Sequence, residues 1–136
     1  MLHLDIITPE KVTFSDSVSS VVVPGADGIM EILPRHVALF SQLIDGEVKI
    51  KKTTGTDYLA IGGGFIEVKN DTVTILVTRA VYAEELQEQE IIRAKEAAEK
   101  ALKEGVSEGE RVAAQQLFRR SFVDMQVLRR RKKHIV

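Results

Sequence analysis

The composition of the chain changes abruptly near residue 83, and this change constrains the fold more than any single motif. Seven of the nine glycines and all three prolines lie in residues 1–82, with most of the valines and threonines. Residues 84–136 are instead rich in Ala, Glu, Gln, Lys and Arg. The first composition is typical of strands and tight turns, and the second is typical of helices. The sequence therefore predicts a β domain at 1–83 and a helical domain at 84–136.

Short β-branched runs between turn residues predict about eight to ten short strands in the first domain. Little room remains between these runs for crossover helices, so the strands are expected to be mostly antiparallel. Their spacing is typical of a β-sandwich or barrel. The runs are Leu2–Ile7, Ser17–Val23, Ile29–Leu33, Val37–Ile44, Glu47–Lys52, Asp57–Ile61, Phe65–Val68 and Thr72–Val77.

The three consecutive glycines Gly62–Gly64 raise the alternative of a phosphate-binding loop. Such a loop opens a helix whose first amides hold the anion, but here a strand-like run follows and Gly-Lys-Ser/Thr is absent. The favoured interpretation is a bend or bulge between strands. A glycine edge that lets another backbone approach closely remains the functional alternative.

Two helices are predicted in the second domain, one over Ala83–Gly105 and one from about Gly109 to about Arg131. Glutamates crowd the start of the first helix and lysines its end, and Ser107 and Glu110 have the spacing of a capping box before the second. The short link predicts an antiparallel hairpin. Its seam is expected to contain residues at helical spacing, namely Ile91, Ala94, Ala98, Ala101, Ala114, Leu117, Phe118, Ser121, Met125 and Leu128. Because alanines bury little apolar surface, such a hairpin needs the sandwich or a partner to hold it, and it is suited to changing position.

Composition excludes several classes of function. A net charge of -1 argues against a general nucleic-acid binder, and the absence of cysteine excludes disulfides and thiolate metal sites. No apolar run reaches the ~20 residues that span a bilayer, so no direct membrane insertion is expected. The three histidines are scattered, so neither a metal site nor an assembled catalytic set is expected. The chain is therefore expected not to be an enzyme by itself.

Two charged motifs can each be interpreted in two ways. The stretch Leu33–His36, read as "LPRH", is either an exposed turn between strands or part of a functional loop. The run Arg129–Lys133 is either a solvated end or a docking site for an acidic protein surface. Nucleic acid is a weaker partner for this run, because no aromatic residues are interleaved with the basic ones.

Three segments of the chain, at His3–Val18, Gly28–Leu39 and Tyr58–Leu76, resemble the epsilon subunit family of bacterial F-type ATP synthases, whose relatives are the mitochondrial delta and chloroplast epsilon subunits. "HLDIITPEKVTFSDSV" (His3–Val18) resembles the opening strand and turn of that family. "YLAIGGGFIEVKNDTVTIL" (Tyr58–Leu76) resembles its glycine pair followed by F/I/L-E-V and a V-T-I/V-L strand. "GIMEILPRHVAL" (Gly28–Leu39) resembles its G-E-L-G-I-L/Y-P-G-H-A-P-L segment. In that last segment Glu31 and Arg35 stand where the family has glycines, Ile29 stands at an acidic position and Ala38 at a proline.

The resemblance implies a β-sandwich followed by a helical hairpin, in a non-catalytic rotor subunit of the central stalk. Such a subunit couples proton translocation through the c-ring to ATP synthesis in the alpha/beta head, at the cytoplasmic face of the bacterial plasma membrane. The implied partners are the gamma subunit, the c-ring and the alpha/beta head. By resemblance, residues 26–29 are assigned to the ring and residues 36–39 to gamma. The implied contact residues are Ala26, Asp27, Gly28, Ile29, His36, Val37, Ala38 and Leu39.

The resemblance also implies that the extended hairpin inhibits ATP hydrolysis by contacting an acidic surface of a beta subunit. The implied contact residues are Arg119, Arg120, Arg129, Arg130, Arg131, Lys132 and Lys133.

Some bacterial members of the family bind ATP in the hairpin through I/L-D-x-x-R-A and arginines of the second helix. Without gaps, that motif falls on residues 86–91, where its aspartate is replaced by Gln87 and its arginine by Glu90. A shift of three residues keeps a carboxylate at Glu90 and retains Arg93 and Ala94. Because a glutamate in place of the arginine would repel the phosphates, we expect ATP binding to be weak or lost, and no cofactor is expected.

The main alternative to a rotor subunit is a free-standing β-sandwich adaptor with a helical-hairpin tail. Both readings share the predicted fold. They differ in whether gamma and the c-ring are the partners.

Overall fold

The computed structural model describes residues 1–135, and it describes the side chains of residues 1–131. The chain divides into two compact units, Met1–Tyr82 and the residues from Ala83 onward. The break between the units lies where the composition changes.

The first unit is a ten-stranded, mostly antiparallel β-sandwich, which confirms the predicted fold class. The strands are β1 (Leu2–Ile7), β2 (Val12–Val18), β3 (Ser20–Gly25), β4 (Gly28–Ile32), β5 (Leu39–Leu43), β6 (Gly46–Lys52), β7 (Gly55–Ile61), β8 (Gly64–Lys69), β9 (Thr72–Val77) and β10 (Ala80–Tyr82). The hydrogen-bonded order is β10-β7-β6-β3-β5-β8-β9-β1-β2, and β4 pairs with β3. β1 and β9 pair in parallel, with Leu4 opposite Val73.

Alternation along the strands builds the core, because every second side chain points to the same face. Leu4 and Ile6 of β1, Ile66 of β8 and Ile75 of β9 are fully buried, and each is flanked by more exposed neighbours. A continuous apolar cluster therefore fills the space between the two layers of the sandwich.

Two strand predictions were wrong in detail. The predicted strand Ser17–Val23 falls on two strands, because the chain breaks at Ser19, whose N–H donates to the Lys51 carbonyl at 2.8 Å. Residues 12–16 of β2 were not predicted as strand. β-branched residues on either side of this break read as one run. The short strand β10 was not predicted, because three residues are too few to show a strand pattern and are held in strand conformation by pairing with β7.

The glycine triplet connects β7 to β8, and no helix follows it. The structural interpretation of this motif is therefore correct. A Cβ atom at Gly64 would collide with the Leu76 carbonyl and approach the Val77 Cα at 2.8 Å. Glycine is required at this position because the backbones of β8 and β9 approach each other closely there.

The second unit is a helical hairpin of α1 (Glu88–Lys103) and α2 (Glu108–Ile135). The first helix was predicted to begin at Ala83, but Ala83–Glu85 form a 3₁₀ turn closed by the Leu86 N–H to the Ala83 carbonyl at 3.2 Å. Gln87 then has an extended backbone, with φ -116° and ψ 119°, so the α-helix starts at Glu88. α2 extends beyond the predicted end near Arg131.

Gly105 and Ser107 act at the hairpin turn as predicted, whereas in the described part of the chain the Glu110 side chain forms no return hydrogen bond to the Ser107 N–H. Gly105 has a φ of 64°, the left-handed conformation in which glycine commonly follows a helix end. The Glu110 N–H donates to Ser107 Oγ at 3.3 Å, which satisfies one of the first amides of α2.

The hairpin seam contains small side chains, as predicted. Five of the ten predicted seam residues are buried, namely Ile91, Ala98, Ala114, Ser121 and Leu128. The Ser121 hydroxyl donates to the Leu117 carbonyl of its own helix at 2.8 Å. The sequence did not predict the burial of Val123, Asp124 and Val127.

Candidate functional site

A stripe of apolar side chains crosses the outer face of the sandwich. Ile7 of β1 pairs with Leu76 of β9, and Leu76 pairs in turn with Phe65 of β8. Phe40 of β5 stacks on Phe65, with ring centroids 5.5 Å apart and planes inclined by 17°. Phe40 is 67% exposed, Phe65 47% and Leu76 49%. We call these four residues the outer apolar stripe.

The outer apolar stripe departs from the ordinary pattern of an antiparallel strand. A strand with one face in water normally alternates apolar and polar side chains. The next row of the same face is polar on three strands, because Asp5 pairs with Thr74 and Thr74 with Glu67, and it ends at Phe40, which pairs with Glu67. One row further along, apolar side chains occupy both the core face and the outer face. Exposed apolar surface concentrated in this way marks a binding site for another molecule.

A shallow apolar groove of about 420 Å³ adjoins the outer apolar stripe. It is lined by Ile7, Pro9, Gly63, Gly64, Phe65 and Leu76, among others. Because Gly63 and Gly64 carry no side chains, the backbone itself forms part of the groove wall. An approaching partner can therefore contact main chain and apolar side chains together.

The residues predicted to face the c-ring occupy the turn between β3 and β4. Ala26 and Asp27 form a two-residue hairpin loop, and the paired Gly25 and Gly28 close it. Gly28 has a φ of 135°, which favours glycine. The Ala26 N–H donates to the Gln42 carbonyl at 2.9 Å, which anchors the loop to β5. Ile29 follows with 77% of its surface exposed, so the loop presents an apolar side chain to its surroundings.

The residues predicted to face gamma lie at the other end of β4. Val37 is 75% exposed, whereas Leu39 packs partly against the core. His36 is half-buried, and its Nδ1 lies 2.8 Å from the Val37 carbonyl. Gly28 and Ile29 are the first two residues of β4, whose five residues span roughly 17 Å, and the second group begins beyond its end at Ile32. The structure therefore places them at opposite ends of the sandwich rather than in one patch.

The arginines of α2 point in different directions. Eleven residues are close to three helical turns, so Arg119 and Arg130 lie on one side of the helix and Arg120 and Arg131 on another. Arg131 Nε lies 3.3 Å from Glu84 Oε1, so this side chain is paired within its own unit. Lys132 and Lys133 were also predicted to contact a beta subunit, but their side chains lie outside the described residues.

A groove of about 330 Å³ runs along the hairpin between α1 and α2. Its α1 wall carries Glu88, Glu96 and Glu99 beside Lys95, and α2 contributes Arg129. Glu90 and Arg93, the remnants of the predicted nucleotide motif, do not line this groove. At 100° per residue, Glu90 lies on the opposite side of α1 from Glu99, and Arg93 lies about 120° around the helix from Glu99. The groove therefore offers more carboxylates than cations.

The described residues show little chemistry beyond these surfaces. Residues 1–131 contain no group of three or more histidine, aspartate or glutamate side chains arranged to hold a metal ion. No helix in the described part of the chain is long and apolar enough to cross a membrane. The resolved pKa shifts come from two ion pairs: Lys51 lowers the pKa of the partly exposed Glu31, and Asp57 raises the pKa of the half-buried Lys52.

Sequence reasoning missed Phe40, Phe65 and Leu76 as candidate binding residues. Each belongs to a run that reads as a core strand, and such a run does not show which of its apolar residues face outward. The available signal was the adjacency of two apolar residues, as in Leu39-Phe40, Phe65-Ile66 and Ile75-Leu76. In a strand, two adjacent apolar residues must point to opposite faces.

Solved structures of ATP synthases contain the same fold. One chain of the Euglena gracilis mitochondrial ATP synthase, solved as OSCP/F1/c-ring, matches with a TM-score of 0.74 over 99% of this chain and 81% of that chain. One chain of the central stalk and c-ring of the Tetrahymena thermophila mitochondrial ATP synthase matches with a TM-score of 0.60 over 93% and 96%. The identities are 20% and 16%, so these two likenesses establish the fold alone.

Sequence comparisons establish the family. Residues 1–83 match the family model described as ATP synthase, Delta/Epsilon chain, beta-sandwich domain. The ATP synthase epsilon chain of Dehalococcoides mccartyi is 40% identical over 134 residues, which cover 98% of this chain and 96% of that protein. The corresponding chain of Desulforamulus reducens is 40% identical over 106 residues, covering 78% and 80%. With a β-sandwich, a helical hairpin and these relatives, the chain belongs to the ATP synthase epsilon chain family.

Proposed function

We propose that this chain is a rotor subunit in the central stalk of an F-type ATP synthase. Its sandwich binds the gamma subunit and rests on the c-ring, so that proton-driven rotation is transmitted to the alpha/beta head. The chain performs no catalytic step itself, since the head makes and hydrolyses ATP. The observation that carries this proposal is the outer apolar stripe on a sandwich whose core is already complete.

The outer apolar stripe supports a permanent protein partner. Phe40 and Phe65 stack on each other but remain about half or more exposed, and the fold buries neither ring. Aromatic side chains exposed in a cluster bind protein surfaces well, because they bury a large area with few rotatable bonds. We assign the outer apolar stripe to the gamma subunit.

The turn at Ala26–Asp27 and the exposed Ile29 support a second, smaller contact. The turn is anchored to β5 by a main-chain hydrogen bond, so it presents a defined surface. We assign this end of the sandwich to the c-ring. The chain would then be held at the membrane surface by its partner, on the cytoplasmic face of a bacterial membrane, without entering the bilayer.

The hairpin is the regulatory part in this proposal. Its seam of small residues stabilises the paired helices only weakly. The free energies of the folded hairpin and of the hairpin docked on the alpha/beta head therefore differ by only a few kcal/mol. In the extended position the arginines of α2 would meet an acidic surface of a beta subunit and impede ATP hydrolysis. The different directions of Arg119 and Arg120 mean that this contact uses one side of α2 rather than all its arginines.

ATP is at most a weak regulatory ligand of the hairpin, and the chain needs no other cofactor. The hairpin groove carries three glutamates, and phosphates are repelled by carboxylates. Arg93 is not among the residues that line this groove. Calorimetric titration of the full chain with ATP, with and without magnesium, is expected to show no binding below the millimolar range.

A copurification experiment tests the rotor assignment. The tagged full chain is mixed with detergent-solubilised ATP synthase from which this subunit has been removed, and bound gamma and c subunits are detected. Leu76→Asp should reduce capture at least tenfold, because it places a charge in the centre of the apolar stripe. Thr72→Asp is the matched control, since it adds the same charge to the same face of β9 four residues away, and it should leave capture unchanged.

Failure of the unmodified chain to capture gamma would contradict the rotor assignment and favour the free-standing adaptor. Equal losses for the Leu76 and Thr72 variants would show that the stripe is not the contact. For the hairpin, a chain ending at Ala83 should raise ATP hydrolysis by the reassembled complex. Unchanged hydrolysis would count against the inhibitory role.

A further inference from the structure

The loop between β4 and β5 contains a tight turn at Leu33–His36. The His36 N–H donates to the Leu33 carbonyl at 3.2 Å, which closes the turn. Pro34 is the second residue and Arg35 the third, with a φ of 66°. A positive φ at the third position is the mark of a type II turn, and glycine or asparagine normally fills it. An arginine there is strained, because its Cβ crowds its own backbone.

The backbone of Arg35 is fixed from outside the turn. Its N–H donates to Asp71 Oδ1 at 2.7 Å, a charge-assisted hydrogen bond. Asp71 lies in the turn between β8 and β9, where Asn70 and Asp71 both have positive φ values, of 51° and 59°. Two turns are thereby joined, and the point from which the Arg35 side chain projects is held in place.

The guanidinium of Arg35 has no internal role in the described part of the chain. It forms no ion pair or hydrogen bond with any described residue, and only the backbone N–H of Arg35 is engaged. Leu33 and Val37 flank it with 52% and 75% of their surfaces exposed. A strained residue whose side chain stabilises nothing in its own fold indicates a use outside that fold. The turn thus presents a cation framed by two exposed apolar side chains.

We propose that Arg35 binds a carboxylate of the subunit that covers residues 36–39. The inference rests on the proposed function, because it requires a stalk subunit against this end of the sandwich. The guanidinium donates two parallel hydrogen bonds to a carboxylate, and Leu33 and Val37 exclude water from the contact. The lower local dielectric makes that pair stronger than an open surface pair.

The chemistry favours a protein carboxylate over an anionic lipid headgroup. Recognition of anionic membranes usually needs a cluster of four or more basic side chains, and this turn offers one arginine. The neighbouring His36 has its Nδ1 at 2.8 Å from the Val37 carbonyl. A single fixed guanidinium suits one carboxylate held at a defined position.

The test uses the opposite effects that Arg35→Gly should have on stability and on binding. Glycine relieves the left-handed strain, so the full chain should melt about 3 °C higher. The same variant should bind solubilised ATP synthase lacking this subunit about tenfold more weakly, because the carboxylate loses its partner. Arg35→Lys keeps the charge but lacks the planar guanidinium that donates two parallel hydrogen bonds, and it should bind about threefold more weakly.

Asn70→Gly is the matched control. It relieves a left-handed residue in the adjoining turn and leaves both Arg35 and the Asp71 carboxylate in place. This variant should bind the assembly as tightly as the unmodified chain does. Raised salt should weaken binding of the unmodified chain and of Asn70→Gly to the assembly more than binding of Arg35→Gly. The reason is that Arg35→Gly makes one charge contact fewer.

Four outcomes would overturn the inference. Arg35→Gly binding as tightly as the unmodified chain would show that the guanidinium makes no contact. A lower melting temperature for Arg35→Gly would contradict the strain on which the argument stands. Sedimentation of the unmodified chain, but not of Arg35→Gly, with phosphatidylglycerol vesicles would assign the arginine to lipid. Failure of the unmodified chain to bind the assembly would instead contradict the proposed function, and the inference with it.

Discussion

The sandwich and the hairpin bury different kinds of side chain, and this difference explains their different roles. In the sandwich, the buried positions are filled by leucine, isoleucine and valine, as at Leu4, Ile66 and Ile75, none of which is exposed. In the hairpin, the small residues Ala98, Ala114 and Ser121 occupy buried positions together with the larger Ile91, Val123, Val127 and Leu128. The volume of the buried side chains therefore decides which unit keeps its shape by its own packing.

Each unit has the stability that its proposed task needs. A subunit that transmits torque needs a binding surface that does not deform, and the strands of the sandwich hold the outer apolar stripe on a filled core. A regulatory arm needs two accessible positions, and a thin seam lowers the free energy needed to leave either one. The following experiments test this contrast, from the largest expected effect to the smallest.

Truncating a core isoleucine in each unit should give the largest difference. Ile66→Ala should lower the free energy of unfolding of the sandwich by about 4 kcal/mol, because a fully buried side chain leaves a cavity between two packed sheets. Ile91→Ala should cost about 2 kcal/mol, at the low end for such a change, since the seam can close over the smaller side chain. Region-resolved hydrogen exchange during urea titration measures both. Equal losses spread over both units would break the contrast.

Adding one methyl group to the glycine triplet should separate two neighbouring positions. Gly64→Ala should destabilise the sandwich by about 2 kcal/mol or more, because the new Cβ meets the backbone of β9 at Leu76 and Val77. Gly63→Ala is the control, since its nearest neighbour is the Leu43 carbonyl at 3.3 Å, and it should cost less than about 1 kcal/mol. Urea midpoints followed by circular dichroism compare the two. Similar midpoints would contradict the close approach of β8 and β9.

Removing the ion pair at the end of the hairpin should have a smaller, local effect. Glu84→Gln removes the partner of Arg131, and such partly exposed pairs stabilise by about 0.5 kcal/mol. Amides of residues 83–86 and of the end of α2 should exchange about twofold faster. Glu104→Gln, which removes the more exposed pair with Lys100, should leave these amides unchanged. Faster exchange throughout α1 would show that Glu84 does more than hold this end.

Acid should weaken the sandwich slightly through Glu31. The Lys51 ammonium, 2.7 Å away, lowers the pKa of this carboxyl below its usual 4.5, first by its hydrogen bond and then by its charge. The folded pKa is thus lower than the unfolded one, so the stabilisation is complete above pH 4.5 and is lost as the pH falls through the folded pKa. Both groups are well exposed, so this is the smallest effect. Glu31→Gln should flatten the fall of melting temperature below pH 4.5, and an unchanged curve would exclude the pair as its cause.

Much of the fold was predictable because local patterns and final structure agree. Thr72–Val77 was predicted with its observed bounds, since alternating β-branched residues between turn residues specify a strand without help from distant parts of the chain. β10 and the parallel pairing of β1 with β9 were not predictable, because both depend on partners far away in sequence. The prediction that α1 begins at Ala83 was wrong, because Ala83–Glu85 have the composition of a helix but form a 3₁₀ turn.

The candidate site was less predictable than the fold. Ala26–Ile29 and His36–Leu39 were selected through family resemblance, and their contacts stay predictions. Phe40 and Phe65 were hidden, because an apolar residue in a strand gives the same signal whether it faces the core or a partner protein. Only the register of β5, β8 and β9 separates these two cases.

The parallel pairing of the first strand has a consequence for synthesis. β1 leaves the ribosome first, but its parallel neighbour β9 follows nearly the whole sandwich later, with Leu4 opposite Val73. At roughly 5–20 residues per second, β1 must wait several seconds for that neighbour. During this interval only β2 can pair with it, and its other edge is open to foreign strands. The open edge of β1 is therefore exposed to mispairing until β9 has left the ribosome.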